Sequence, residues 1–386
     1  MDALARTRAI LGDLVSYPTV SADGNLELVA YAADHLSSAG ARLSITPDET
    51  GTKANLFATL GPEGDGGIIL SGHTDVVPVE GQDWSNDPFR VIERDGLLFG
   101  RGTCDMKGFV AACLAMTPDF AQANLKRPLH FAFTYDEEIG CFGARELMKQ
   151  IAAMGIRPSA AIIGEPTGMH VVEGHKGCYE YTTEFTGLEG HGSAPDRGVS
   201  AIEYAVRYAA RLLELREALK ERADPANRFE PPWPTLQIGR INGGVARNII
   251  AGQCALEWEM RPIRHSEAEF IKREMKSFVE QSLLPAMRDV HPDAGIITHV
   301  IGEVEGLAIE TDSEARDLAF ALTGQNEAGL VPFGTEAGLF QSAGISAVIC
   351  GPGSIEQAHK PDEFIAIEQL AACLGMLDDL GRRLSR

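Results

Sequence analysis

Long apolar runs are missing from this chain, and so is any excess of positive charge. No apolar stretch reaches membrane-spanning length, which excludes a helical span. The 386 residues hold 34 basic against 55 acidic side chains, a formal balance of −21. Nucleic acid and anionic membranes are therefore poor partners. Seven cysteines are scattered from Cys104 through Cys113, Cys141, Cys178, Cys254 and Cys350 to Cys373, with no C-x-x-C pair. An odd, dispersed set points to free thiols in a reducing compartment, not to a disulfide framework. The opening segment carries charges through an amphipathic pattern and lacks the apolar core of a leader. The expectation is a soluble, cytoplasmic protein. Several catalytic signatures are absent as well: H-E-x-x-H, G-x-S-x-G, G-x-x-x-x-G-K-[ST] and G-x-G-x-x-G.

What is present reads as α/β. The runs 67–72, 129–135 and 160–164 are continuous apolar strands, and helical patterns begin at Met106 and Ala144. Strand and helix alternating in this way predict a mostly parallel sheet with helices on both faces. Near Lys176 the pattern changes to strand 179–185, helix 201–219, strands 235–241 and 254–262, helix 267–284 and strand 295–304. This βαββαβ order is that of a ferredoxin-like α+β unit. Ser200 with Glu203, and Ser266 with Glu269, have capping-box spacing at the two helix starts. The α/β pattern then resumes, with Thr311 and Glu314 opening a helix and 345–350 forming a strand. The final segment of about 80 residues is short for an independent α/β domain. The reading is one domain, 1–175 and 307–386, interrupted by an inserted domain, 176–306.

Polar residues follow the apolar strands closely. His73-Thr74-Asp75 ends the first, Asp136-Glu137-Glu138 follows the second and Glu165 the third. A glycine-rich turn from Gly100 to Gly108 carries Asp105 between them. Ligands of open α/β sheets bind beyond the carboxyl ends of the strands, so His73, Asp105, Glu137, Glu138 and Glu165 converge on one rim. Gathering such carboxylates without cations would cost several kcal/mol. A pair of divalent ions removes that cost, and an imidazole with carboxylates suits zinc, cobalt or manganese better than calcium. Singly, His73 would be read as a satisfied strand-end histidine and the Glu137-Glu138 pair as a solvated loop. Cys104 is a poor nucleophile, since the neighbouring Asp105 raises a thiol's pKa.

The stretches SGHTDVVP, GRGTCDMKG, FTYDEEIG, GEPT, GHGSAPDRGVSAIE, INGGVARNIIAG and GPGSIEQAHKPDEFI, from Ser71 to Ile365, resemble one family throughout. It is the co-catalytic two-metal peptidase family that includes acetylornithine deacetylase, succinyl-diaminopimelate desuccinylase, aminoacylase and carboxypeptidase G. The resemblance implies that His73 and Glu165 bind one ion, that Glu138 and His359 bind the other, and that Asp105 bridges them. It implies zinc, with cobalt as a substitute. Asp75 would orient His73 through its second ring nitrogen, and Glu137 would act as general base and acid towards a water between the ions. It further implies a homodimer through the inserted domain, which would act as dimerisation and lid domain. His191 would then reach a partner's active site, and Asn248 and Arg261 would bind substrate. The GEPT, HVVEGHKG and Phe333–Gln341 segments are most like the acetylornithine-cleaving members. The implied reaction is hydrolysis of N2-acetyl-L-ornithine to L-ornithine and acetate, a step of arginine biosynthesis. A desuccinylase, a broader N-acyl-amino-acid hydrolase or a dipeptidase is the alternative. Glu336, an acid in that last segment, is expected to read the substrate's side-chain ammonium or to sit at a helix N-terminus.

Overall fold

The apolar runs become strands buried on both faces. In the computed structural model, which describes residues 2–386, eight strands form the large sheet. They are β1 (Arg42–Pro47), β2 (Ala54–Leu60), β3 (Ile68–His73), β4 (Leu129–Thr134), β5 (Ala160–Pro166), β6 (Val172–His175), β7 (Gly329–Val331) and β8 (Ser346–Gly351). Their order is β1-β2-β4-β3-β5-β8-β6-β7. The centre is parallel, with β4 on β3, β3 on β5 and β5 on β8. Antiparallel β1, β2 and β6 flank it. From β2 to β5 every strand position is buried, which explains why β3, β4 and β5 read as unbroken apolar runs rather than as alternation.

Alternate strand residues point to opposite faces. One set, including Leu56, Leu70, Phe131, Ile162 and Val348, shares a core with the helices Ala3–Ser16, Leu26–Ser38, Lys107–Gln122 and Ile367–Leu384. The helices Phe142–Ala153 and Ala337–Ser342 also pack on the sheet, the first on β2 and β4, the second on β5 and β8. Ala3–Ser16 shows how the sequence encodes such a helix. Asp2 Oδ1 caps it by accepting the Ala5 N–H at 2.7 Å. Leu11, Leu14 and Val15, three and four apart, are fully buried, and each contributes about 1.5–3 kcal/mol. Close approach at the centre needs glycine. A Cβ on Gly164 in β5 would lie 2.0 Å from Cγ of Phe109, and one on Gly351 in β8 would lie 2.0 Å from the Gly164 carbonyl oxygen.

The chain divides into two compact units. One runs up to Gly174 and includes Ile309–Val331 and Thr335–Arg386; the other comprises His175–Ala308 and Pro332–Gly334. The second unit has the βαββαβ order, with strands Cys178–Thr186, Thr235–Gly243, Gln253–Arg261 and Gly295–Val304 and helices Ala201–Glu221 and His265–Phe278. Its sheet is antiparallel throughout. Ser200 caps the first of these helices by accepting the Glu203 N–H. The second starts earlier than Ser266 suggests: Arg264 is its N-cap, and Glu267 accepts the Arg264 N–H at 2.9 Å. It also ends sooner, in a π turn at Val279–Leu283. Pro285 follows, and its missing N–H and ring oppose a regular continuation. Helix Glu314–Thr323 is likewise capped by Ser313, not Thr311. Among the described residues no helix is long and apolar enough to cross a membrane, and all seven cysteines are free.

Gly164→Ala drives its new methyl into the Phe109 ring. The expected loss is about 1–3 kcal/mol of stability, read as a lower urea midpoint with an unchanged denaturant slope. A wild-type midpoint would contradict this packing.

Candidate active site

The parallel strands deliver polar residues to one edge. His73 closes β3, Asp136-Glu137-Glu138 follows β4, and Glu165 is the penultimate residue of β5. Beyond β8 the chain passes through the short turn Ile355–Gln357 to His359. Asp105 ends the turn that leads into the helix Lys107–Gln122. All of these residues belong to the first unit.

Asp105 lies between two imidazoles. Its Oδ1 is 3.0 Å from His73 Nε2, and its Oδ2 is 3.3 Å from His359 Nε2. His359 Nε2 is also 3.1 Å from Glu138 Oε2, and His73 Nε2 is 3.8 Å from Glu165 Oε1. Two groups of three can each converge on a point, His73 with Asp105 and Glu138, and His73 with Glu137 and Glu165; within each, ligand atoms are no more than 4.8 Å apart. At that separation two buried carboxylates such as Asp105 and Glu138 repel by about 3–4 kcal/mol at an effective dielectric near 20. Glu165 Oε1 is buried without a hydrogen-bond partner. An orphaned acceptor among carboxylates and imidazoles is what a cation site presents, and the donor set fits divalent ions.

The proton affinities show the same tension. Burial pushes the Glu137 and Glu165 carboxyls well above the usual range, and neighbouring carboxylates add to it while His73 opposes it. Burial and then Asp105 push Glu138 up to about 7. Asp105 moves the other way, because its hydrogen bonds from His359 and His73 outweigh burial. The bonds to Asp105 and Glu138 raise His359 to about 10. Burial works against charge on His73, but the hydrogen bond to Asp105 and the neighbouring Asp75 carboxylate dominate and raise it well above its usual value. The imidazoles thus serve as the positive charge that the carboxylates demand.

Asp75 is placed differently from the expectation. His73 Nδ1 bonds the backbone carbonyl of Asp75 at 2.9 Å, whereas the nearest carboxylate oxygen is 3.6 Å away. That carboxylate instead accepts the N–H groups of Glu137 at 3.1 Å and Glu138 at 3.3 Å, and the Ser21 hydroxyl at 2.6 Å. Asp75 therefore holds the Glu-Glu pair as well as the histidine.

Glu336 is not placed to read a substrate. It is fully buried, and its two oxygens accept hydroxyls from Ser71 and Thr134 inside β3 and β4. It is the N-cap residue of Ala337–Ser342, which is the helix-terminus alternative; the side-chain-ammonium expectation is corrected by its burial behind β3 and β4. His191, Asn248 and Arg261 lie in the second unit. His191 and Asn248 are exposed on adjoining segments: His191 pairs with Ile249, and the Gly192 N–H reaches the Asn248 carbonyl at 2.8 Å. Arg261 is partly buried, with Nη2 3.0 Å from Glu259 Oε2. Sequence reasoning assigned no role to Ser21, Arg101 or Glu363, which grip the site from behind; their only signal was the position of Arg101 and Glu363 within motif stretches.

Residues 69–383 match the peptidase family M20/M25/M40. A relative from Photorhabdus laumondii named acetylornithine deacetylase is 38% identical over 360 residues, covering 91% of this chain and 90% of its own. Among solved structures, an M20 family metallo-carboxypeptidase from Sulfolobus solfataricus superposes with a TM-score of 0.75 at 16% identity, covering 100% of both chains. A dinuclear metal-binding peptidase of the M20 family from Bacillus subtilis gives 0.65 at 17% identity, covering 99% and 98%.

Ligands must shed protons to bind metal. Zn²⁺ or Co²⁺ affinity is therefore expected to rise from about pH 6 to about pH 8 as the raised Glu138 and His359 protons become easier to displace. Titration calorimetry in buffers of different ionisation enthalpy should read net proton release. Uptake without release would contradict these assignments.

Proposed function

The chain belongs to the peptidase family M20/M25/M40, and on that basis we propose that it is a two-metal hydrolase of N2-acetyl-L-ornithine that yields L-ornithine and acetate for arginine biosynthesis. The chain is a hydrolytic enzyme by its family and its relatives. The observation that carries the two-metal reading is Asp105, with one oxygen facing His73 and the other facing His359. The substrate rests on the 38% identity, across nine-tenths of both chains, to a protein named acetylornithine deacetylase.

His73 and Glu165 would hold one ion, His359 and Glu138 the other, and Asp105 both. Bound zinc, or cobalt in its place, would supply positive charge that polarises the amide carbonyl, acidifies the attacking water and draws the raised carboxyl pKa values back down. Glu137 takes the proton of that water on its carboxylate and returns it to the amine nitrogen as the C–N bond breaks. Asp75 keeps the two neighbours in separate roles by fixing both of their backbone N–H groups. In a homodimer formed through the second unit, His191 serves the partner's site by donating to the oxyanion. Asn248 binds the substrate, and Arg261 binds its carboxylate through paired hydrogen bonds once it exchanges Glu259 for it. The second unit acts as a lid, and the cytoplasm is the working compartment.

The test is hydrolysis of acetylornithine before and after chelation, with Zn²⁺ or Co²⁺ added back. Succinyl-diaminopimelate, acetylmethionine and dipeptides run in parallel. Acetylornithine should give the highest kcat/KM, and a better rival would replace the substrate assignment. Glu137→Gln should retain both ions and lose about 10²–10⁴-fold in kcat. Near-wild-type turnover would remove Glu137 from its role.

A further inference from the structure

The carboxylate shared by the two imidazoles stands on a turn, not on a strand. The segment Arg101–Met106 has no ladder of its own to fix it. Glu363 supplies the missing restraint. It is 1% exposed, and both of its oxygens accept twice. Oε1 takes the N–H of Cys104 at 2.8 Å and that of Asp105 at 3.0 Å. Oε2 takes the N–H of Gly102 at 3.0 Å and the Arg101 guanidinium at 2.7 Å. Its backbone carbonyl receives the Gly100 N–H at 2.9 Å. Gly102 has φ +81°, a conformation that suits glycine, and a Cβ there would stand 2.8 Å from Val76. The turn therefore wraps its N–H groups around one anion, in the manner of a backbone nest.

The second observation is where Glu363 comes from. It lies four residues after His359, so one short segment carries both a candidate ligand and the anchor of another. Arg101 ties the two ends of that segment, since its guanidinium also reaches the Lys360 carbonyl at 3.3 Å.

We propose that Glu363 is a positioning residue for the metal pair: it fixes the backbone from which Asp105 projects, so that one oxygen faces His73 and the other faces His359. The proposal rests on the reading of Asp105 as shared ligand. It gives the buried carboxylate a task beyond stability, because the His359-to-Asp105 spacing is set through it.

Metal-free wild type, Glu363→Gln and Glu363→Asp are titrated with Co²⁺, followed by visible absorption and chelator competition, beside kcat and KM on acetylornithine. A glutamine turns one acceptor into a donor facing N–H groups. Co²⁺ affinity should fall on the order of 10- to 100-fold, with an altered cobalt band and kcat lowered more than KM is raised. Glu363→Asp keeps the charge but is one methylene short, and should recover part of the affinity. Wild-type Co²⁺ affinity and spectrum in folded Glu363→Gln, or in Glu363→Asp should the first not fold, would overturn the proposal. So would a loss confined to the melting temperature. A wild type that binds no Co²⁺ would overturn the two-ion reading and this proposal with it. A wild type that binds Co²⁺ without cleaving acetylornithine would overturn only the substrate, and the cobalt readout would still decide on Glu363.

Discussion

Like-charge repulsion at the carboxyl edge of the parallel sheet is the constraint from which the rest of the site follows. Asp105, Glu138 and Glu165 are brought together with little access to water, and Glu137 stands beside them. Each close pair is unfavourable by a few kcal/mol, a large fraction of the net stability of a typical domain. The fold tolerates such a cluster only because positive charge can enter it. The two imidazoles face different oxygens of Asp105, and Glu165 Oε1 is buried without a partner. The same repulsion that makes the edge unstable alone makes it selective for compact divalent cations.

Holding that arrangement takes more polar structure than the ligands themselves. Asp75 is committed to the backbone of the Glu-Glu pair, Glu336 to the hydroxyls of β3 and β4, and Glu363 to the Asp105 turn. All three are buried acids held by several hydrogen-bond donors, and Glu363 also by the Arg101 guanidinium. They share a design: a carboxylate behind the site stiffens the peptide that carries a carboxylate in the site. This is the outer shell that metal centres generally need, built here from acids that gather main-chain N–H groups, hydroxyls and one guanidinium.

The fold was legible wherever physics leaves a simple trace. Strands buried on both faces must be apolar at every position, so β3, β4 and β5 could be read directly. A βαββαβ order could likewise be read from the alternation of periods. The convergence of the polar strand ends followed from the parallel sheet. His359 did not follow, because a polar loop after Gly353 carries no periodicity, and only resemblance to a family supplied it. The start at Ser313 was misplaced because Thr311, Asp312 and Ser313 are all competent to cap and stand side by side. The start at Arg264 was missed because arginine is not an ordinary capping residue, and Glu267 secures that helix end instead. Glu336 reads in the sequence as an acid for the substrate's ammonium or for a helix N-terminus. Its burial depends on two hydroxyls that are 202 and 265 residues away in the chain, which no local pattern reveals.

The place of β8 has a consequence for how the molecule comes into being. This strand pairs with β5, yet about 180 residues separate them. During synthesis β5 emerges as an apolar edge and must wait while the whole of the second unit is made. Nearly all of that unit, His175–Ala308, is one continuous stretch, so it can fold while the first is still open on one side. Long waits with an unpaired hydrophobic edge invite wrong pairing. In the finished chain the strand that seals the sheet also leads, eight residues on, to His359. Closing the core and bringing His359 to Asp105 and Glu138 are therefore one event in assembly, and a half-made chain carries a half-made cluster.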